Sequence, residues 1–110
     1  ATTGEMLLTM KEGWHVNAHP ASMDFLIPVN ITLSKDPQSL QVSYPKGHAI
    51  ETPLGDLMVY SETVSIPVIL KEEQKLDSIT LTAQACDGST CYPPSTWKFS
   101  LENTAGSAAD

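Results

Sequence analysis

The 110-residue chain contains no arginine, and its six basic residues are all lysines that form no cluster. Thirteen acidic residues oppose them, so the formal net charge is −7. A nucleic-acid backbone and an anionic membrane surface both require a basic footprint, so neither is an expected partner. No apolar run approaches the roughly 18 residues that a membrane-spanning helix needs. The chain opens Ala1-Thr2-Thr3-Gly4 without the basic-then-apolar pattern of a signal peptide, as a mature exported segment or an excised one does. Helical periodicity is missing over any stretch long enough to carry a helix. Aromatic residues are few, at 6%, and there are only two cysteines. Even so, 41% of the residues are apolar and 17% charged, a globular composition, and the length suits one domain with a single core.

What the chain does have is alternation with a period of two. Phe25, Ile27, Val29, Ile31 and Leu33 are apolar at every odd position, with Leu26 as the exception. Val64, Ile66, Val68 and Leu70 repeat the pattern, then Ile79, Leu81, Ala83 and Ala85, then Trp97, Phe99 and Leu101. Each run predicts a strand with one face in a core and the other in water. Residues 5–11, 14–16, 40–43 and 57–60 are shorter strand candidates. Turn signals separate them at 35–37, 44–47, 52–56 and 71–75, rich in Pro, Gly, Asp and Lys. Many short strands at this spacing imply an all-β protein, an immunoglobulin-like antiparallel β-sandwich. Pro28 and Pro67, on outward positions, predict edge strands or bulges. The expected organisation is an N-terminal segment, 1–12, that could add an edge strand, a sandwich domain over 13–102, and a small, polar linker over 103–110.

Both cysteines sit in Ala85-Cys86-Asp87-Gly88-Ser89-Thr90-Cys91-Tyr92-Pro93-Pro94, at the end of a strand-like run. Asp87-Gly88 is the kind of pair that supplies positive φ to a tight hairpin turn. Pro93 and Pro94 remove two consecutive backbone donors, so the returning strand cannot pair regularly there. Sulfurs on facing arms of such a hairpin come within disulfide reach. The inter-sheet staple of antibody domains is excluded, because it joins strands far apart in sequence. A loop this short would contribute only about 2 kcal/mol by the chain-entropy argument. Two readings of the pair stay open on spacing alone: a structural hairpin disulfide and a redox-active dithiol. Zinc needs two further ligands, and His15, His19 and His48 lie on separate segments, so no metal and no cofactor are expected.

The run from Ala85 to Pro94 resembles the active-site hairpin of the N-terminal periplasmic domain of the DsbD thiol:disulfide interchange protein family. Cys91-Tyr92-Pro93-Pro94 is its most specific element. Gly13-Trp14-His15-Val16, Phe25-Leu26-Ile27, Pro45-Lys46-Gly47, Val59-Tyr60-Ser61-Glu62 and Ser65-Ile66-Pro67-Val68 match in order, so the resemblance covers about residues 13 to 101. The loop between the cysteines is one residue shorter than in the best-known member. The resemblance implies a relay: electrons arrive from a thioredoxin-like domain fed across the membrane and pass to periplasmic disulfide-containing proteins. A membrane-embedded part would lie outside this chain, and the location would be periplasmic. It implies that Cys91 exchanges with partners, that Cys86 resolves, and that Thr52, Pro53, Leu54 and Gly55 form a cap loop, with Leu54 where an aromatic cap residue stands in the family.

Asp87, Tyr92, Phe25 and Glu51 are further residues expected near the site. Tyr92 packs beside the disulfide or belongs to a docking face, and a carboxylate such as Glu51 could tune a thiol. No basic side chain neighbours either sulfur in sequence, and Asp87 adjoins one, so the local sequence predicts a sluggish thiol. Trp14, Trp97 and Phe99 are expected in the core, and His15 and His19 at the surface or at strand ends.

Overall fold

A computed structural model of the chain describes residues 2–53, 55–71, 77–88 and 90–101. The strands are β1 (Thr2–Thr9), β2 (His15–Asn17), β3 (Asn30–Leu33), β4 (Leu40–Val42), β5 (His48–Thr52), β6 (Gly55–Ser61), β7 (Thr63–Leu70), β8 (Asp77–Ala83), β9 (Ala85–Cys86) and β10 (Ser95–Leu101). One turn of 3-10 helix at Pro37–Ser39 precedes β4, and no α-helix occurs among the described residues. Three sheets form, in the orders β1-β7-β4, β10-β8-β3 and β5-β6-β2-β9, and every strand pair is antiparallel. This is the all-β, immunoglobulin-like sandwich that the alternation implies.

The main core draws on all three sheets: Leu8 from β1, Val16 from β2, Ile31 and Leu33 from β3, Leu40 from β4, Tyr60 from β6, Ile66 and Val68 from β7, and Leu81 and Ala83 from β8. Leu33, Ile66 and Val29 have essentially no exposure. Burying each is worth about 1.5–3 kcal/mol. Alternation also dictates a second face on the four-stranded sheet. Val16 and Tyr60 are cross-strand partners facing the main core. Their neighbours Asn17 and Val59 therefore point the other way, where Val59, Leu57 and Leu26 form a separate cluster flanked by Ala21, Met23 and Ile50. That second face carries the site. Gly47 lies hard against its strands: a Cβ there would stand 2.7 Å from Ala18 Cβ and 2.9 Å from the Val59 carbonyl oxygen.

Four expectations need correction. The strand expected over 25–33 is regular only from Asn30. Leu26, the residue that broke its alternation, is the one that docks, at 6% exposure, while Phe25 is 64% exposed. One backbone bond, Val29 N to the Asn17 carbonyl at 3.1 Å, and two side-chain bonds hold this stretch: Asn17 Nδ2 donates to the Ile27 carbonyl at 3.1 Å, and Ile27 N donates to Gln84 Oε1 at 3.1 Å. The run over 79–85 likewise divides at Gln84, whose Oε1 also accepts from Asn17 Nδ2 at 3.1 Å. Here the chain leaves the sheet of β8 and joins that of β2 as β9. The alternation runs on through the break: Ala85 pairs with Val16 on the main-core face, so Cys86 keeps the opposite phase and is buried on the second face.

Pro67 is not on an edge. It lies in β7, between β1 and β4. Its carbonyl accepts from Ser43 N at 2.9 Å, so its missing donor faces the same side, just past Val42, where β4 ends. A central strand tolerates proline there because no regular partner awaits the N–H. Trp97 and Phe99 are 47% and 45% exposed rather than in the core. β10 is the outer strand of its three-stranded sheet, and Trp97 and Phe99 line a cavity with Leu7, Leu8 and Thr9 of β1.

Candidate active site

The two cysteines face each other directly, forming an isolated antiparallel bridge, and are joined as a disulfide. Tyr92 N donates to the Ala85 carbonyl at 3.0 Å and Asp87 N to the Thr90 carbonyl at 2.9 Å. These bonds flank Cys86 and Cys91, which are thus a non-hydrogen-bonded cross-strand pair, the closest kind. Their Cα atoms are 4.0 Å apart. The turn does not use the positive φ expected of Asp87-Gly88; among the described residues Gly13, Gly55 and Glu62 take that conformation. A four-residue connection has room to close through a side chain instead. Asp87 Oδ1 accepts from Thr90 N at 2.8 Å, and Oδ2 accepts from the Tyr92 hydroxyl at 3.0 Å.

The sulfurs differ sharply in access. Cys86 is 1% exposed, whereas Cys91 is exposed. Both line a cavity of about 300 Å³, together with His15, Thr52, Pro53, Leu57, Asp87, Gly88 and Thr90. Leu57 belongs to the second apolar cluster, so a packed floor supports the cavity. Thr52 and Pro53 come from the β5–β6 hairpin, where Thr52 Oγ1 donates to the Gly55 carbonyl at 2.7 Å and Gly55 takes φ +110°. Leu54 lies outside the described residues. Of the four residues expected to form a cap loop, Thr52 and Pro53 thus line the cavity with the disulfide.

Tyr92 is 41% exposed and rests on Trp14, ring centroids 5.3 Å apart at 36°. Its hydroxyl bond to Asp87 and the carboxylate's charge push its pKa up. Trp14 is half-buried under this contact rather than in the main core. Phe25 and Glu51 are exposed and do not line the cavity; alternation along β5 turns Glu51 away from the face that Thr52 occupies.

The structure adds His15, which sequence proximity did not suggest. It is the cross-strand partner of Cys86 on one side and of Ser61 on the other. Ser61 Oγ in turn lies 3.1 Å from His48 Nε2. Two histidines on segments far apart in sequence therefore share one sheet face with the disulfide, and a basic group does stand beside a sulfur. His15 also borders a second cavity of about 650 Å³, walled in part by Lys11, Glu12, Trp14, His48 and Glu62. Burial lowers the His15 pKa, the neighbouring His48 lowers it further, and Asp87 opposes them. His19 is half-buried, stacked on Tyr44 at 3.9 Å with Nδ1 2.9 Å from the Val29 carbonyl. The one sequence signal was phase: Val16 in the core places His15 on the opposite face, though not against which neighbour.

Residues 1–103 match the family described as thiol:disulfide interchange protein DsbD, N-terminal. The chain belongs to the DsbD N-terminal domain family. Its fold is similar to the crystal structure of the Neisseria meningitidis DsbD N-terminal domain in the reduced form, with a TM-score of 0.70 at 18% identity over 92% of this chain and 77% of that one. It is also similar to the N-terminal periplasmic domain of ScsB from Proteus mirabilis, with a TM-score of 0.69 at 15% identity, covering 91% of this chain and 40% of the ScsB chain. No curated protein sequence matches the chain. For a DsbD N-terminal domain carrying a paired Cys86–Cys91, thiol:disulfide interchange is the general activity.

Proposed function

We propose that this domain relays reducing equivalents from a membrane-linked thioredoxin-like partner to periplasmic disulfide-containing proteins, with Cys91 as the exchanging sulfur and Cys86 as the resolving one. The observation that carries the assignment is the contrast in access, 1% exposure for Cys86 against an exposed Cys91. An attacking thiolate must approach a sulfur along the S–S axis, and access decides which sulfur it takes.

In the accepting half-reaction the partner's thiolate attacks Cys91 Sγ. The Cys86–Cys91 bond breaks, and its electron pair leaves on Cys86. The partner's second thiolate then attacks its own sulfur in the mixed disulfide, which releases Cys91 and leaves the partner oxidised and this domain a dithiol. In the delivering half-reaction the Cys91 thiolate attacks a substrate disulfide, and one substrate sulfur leaves. Cys86 then attacks Cys91, the substrate's second sulfur leaves, and the domain's disulfide is restored. Thr52 and Pro53, beside the sulfurs, serve as part of a cap that limits exchange to partners able to displace it. A periplasmic location supports this chemistry, because disulfides persist in that compartment. Among the described residues, no helix is long and apolar enough to cross a membrane, so the membrane-embedded part of the relay would be supplied outside this chain.

Two single variants test the roles. With Cys86→Ala, Cys91 preloaded as a mixed disulfide with thionitrobenzoate should covalently trap a thioredoxin-like protein lacking its resolving cysteine, with thionitrobenzoate as the leaving group. With Cys91→Ala, trapping should be weak. Equal or better capture by Cys86 would reverse the assignment, and no capture by either would favour a purely structural disulfide.

A further inference from the structure

The exchange reading leaves one atom without a provision: each turnover creates or consumes a thiolate at Cys86, the buried sulfur. Resting on that reading, we propose that His15 is the proton-transfer group of Cys86, giving it a proton as the disulfide opens and removing that proton before the disulfide closes.

Geometry is the first support. His15 and Cys86 are directly opposed in the β2–β9 pairing and line the same cavity. Directly opposed residues project to one face with Cβ atoms about 4.5–5.5 Å apart, within reach of an imidazole and a thiol.

Need is the second. A thiolate at a site only 1% exposed is desolvated, which raises the thiol pKa and slows both its departure and its attack. A group that supplies the proton on departure and withdraws it before attack removes that penalty in both directions.

Elimination is the third. Asp87 has one carboxylate oxygen on Thr90 N and the other on the Tyr92 hydroxyl. The Tyr92 proton is committed to that carboxylate, and the Thr52 hydroxyl donates to the Gly55 carbonyl. No lysine is among the described residues lining the cavity. Among the described residues, imidazole is then the one side chain there that ordinarily exchanges a proton near neutrality.

The charges facing His15 come from every element packed around it: His48 from β5 across Ser61, Asp87 beyond β9, and Lys11, Glu12 and Glu62 around the larger cavity. Burial and His48 favour the free base over the imidazolium, Asp87 opposing. At neutral pH the resting state is therefore the base, suited to deprotonating Cys86 in the delivering direction. The larger cavity, which His15 also lines, gives the proton a route to water.

The test is the rate at which dithiothreitol reduces the disulfide of the intact chain, followed by the mass shift on alkylating quenched samples. Each rate constant is divided by the dithiothreitol thiolate fraction at that pH. For a plain exchange the normalised constant is flat. With His15 as the acid, it should fall about tenfold between pH about 5 and 8, with its midpoint below 6.5. That factor lies under the usual hundredfold or more for general acids because thiolates leave readily. His15→Gln should flatten the profile, and His48→Gln should keep the fall but move its midpoint up toward 6.5. A flat wild-type profile, or a fall that survives in His15→Gln, overturns the proposal while leaving exchange intact. A disulfide that dithiothreitol reduces only on unfolding overturns the exchange reading itself and this proposal with it.

Discussion

Reducing the Cys86–Cys91 bond changes the covalent structure without altering a residue, and its effect on stability separates a relay from a staple. The cysteines are five positions apart. By the chain-entropy argument, opening so small a loop costs roughly 2 kcal/mol at 25 °C, against more than 4 kcal/mol for a loop of about a hundred residues. Little else in the fold depends on the bond. The hairpin keeps its Tyr92–Ala85 and Asp87–Thr90 backbone bonds and the Asp87 carboxylate contact. The packed floor of Leu57, Val59 and Leu26 is untouched. For a domain of this size each kcal/mol moves Tm by about 4–8 °C, so reduction should lower Tm by about 8–16 °C and leave a folded, cooperative protein. Paired urea titrations of the oxidised chain and of the chain held in dithiothreitol, with nearly equal slopes, measure the difference. A loss above about 5 kcal/mol, or outright unfolding, would show that the bond supports the fold. A reduced form more stable than the oxidised one would refute the entropy argument.

Gly47→Ala should cost about 1–3 kcal/mol in urea unfolding, because its Cβ meets the Val59 backbone and Ala18 at less than 3.0 Å; an unchanged midpoint would mean those strands part freely. All three tyrosines are held above the ordinary value of 10.0, Tyr44 and Tyr60 chiefly by burial and Tyr92 by Asp87, so spectrophotometric titration should show none ionising at the usual pH. Asp87→Asn should bring one of the three back toward 10.0, and a curve unchanged by that variant would deny the contact. Because the folded protein disfavours the His15 imidazolium, the His15 contribution to stability is full above pH 6.5 and is lost as pH falls through the lowered folded value. The stability difference between the chain and His15→Gln should shift in that sense between pH about 7.5 and 5; no shift would mean the imidazole is freely solvated.

The hairpin itself was the most legible part of the site. Cysteines with four residues between them, followed by Tyr92-Pro93-Pro94, can meet only across one turn, and the prolines keep the return strand from regular pairing until Ser95. How the turn closes was not legible. Asp87-Gly88 has the composition of a mirror-image turn, yet the carboxylate of Asp87 bridges the loop instead. A sequence shows which turn residues are present but not whether the loop is long enough for a side chain to take over. The same holds for Phe25, which matched the alternation and is exposed, and for Leu26, which broke it and is buried. Polar side chains from Asn17 and Gln84 hold that segment, and their partners come from distant strands.

Period-two alternation determined the fold class by itself, since it is a property of each strand's own backbone: successive side chains point to opposite faces whatever the neighbours are. Spacing likewise determined that the cysteines could pair. Which sheet each strand joins is a different matter, because it depends on packing between residues scores of positions apart. Only the tertiary structure decided that the run over 79–85 divides at Gln84, that the face carrying Cys86 is covered, and that His15 becomes its cross-strand partner, with His48 close by beyond Ser61. The disulfide was written locally. Its chemical surroundings were not, because a cavity wall is assembled from strands that meet only when the sheets have packed.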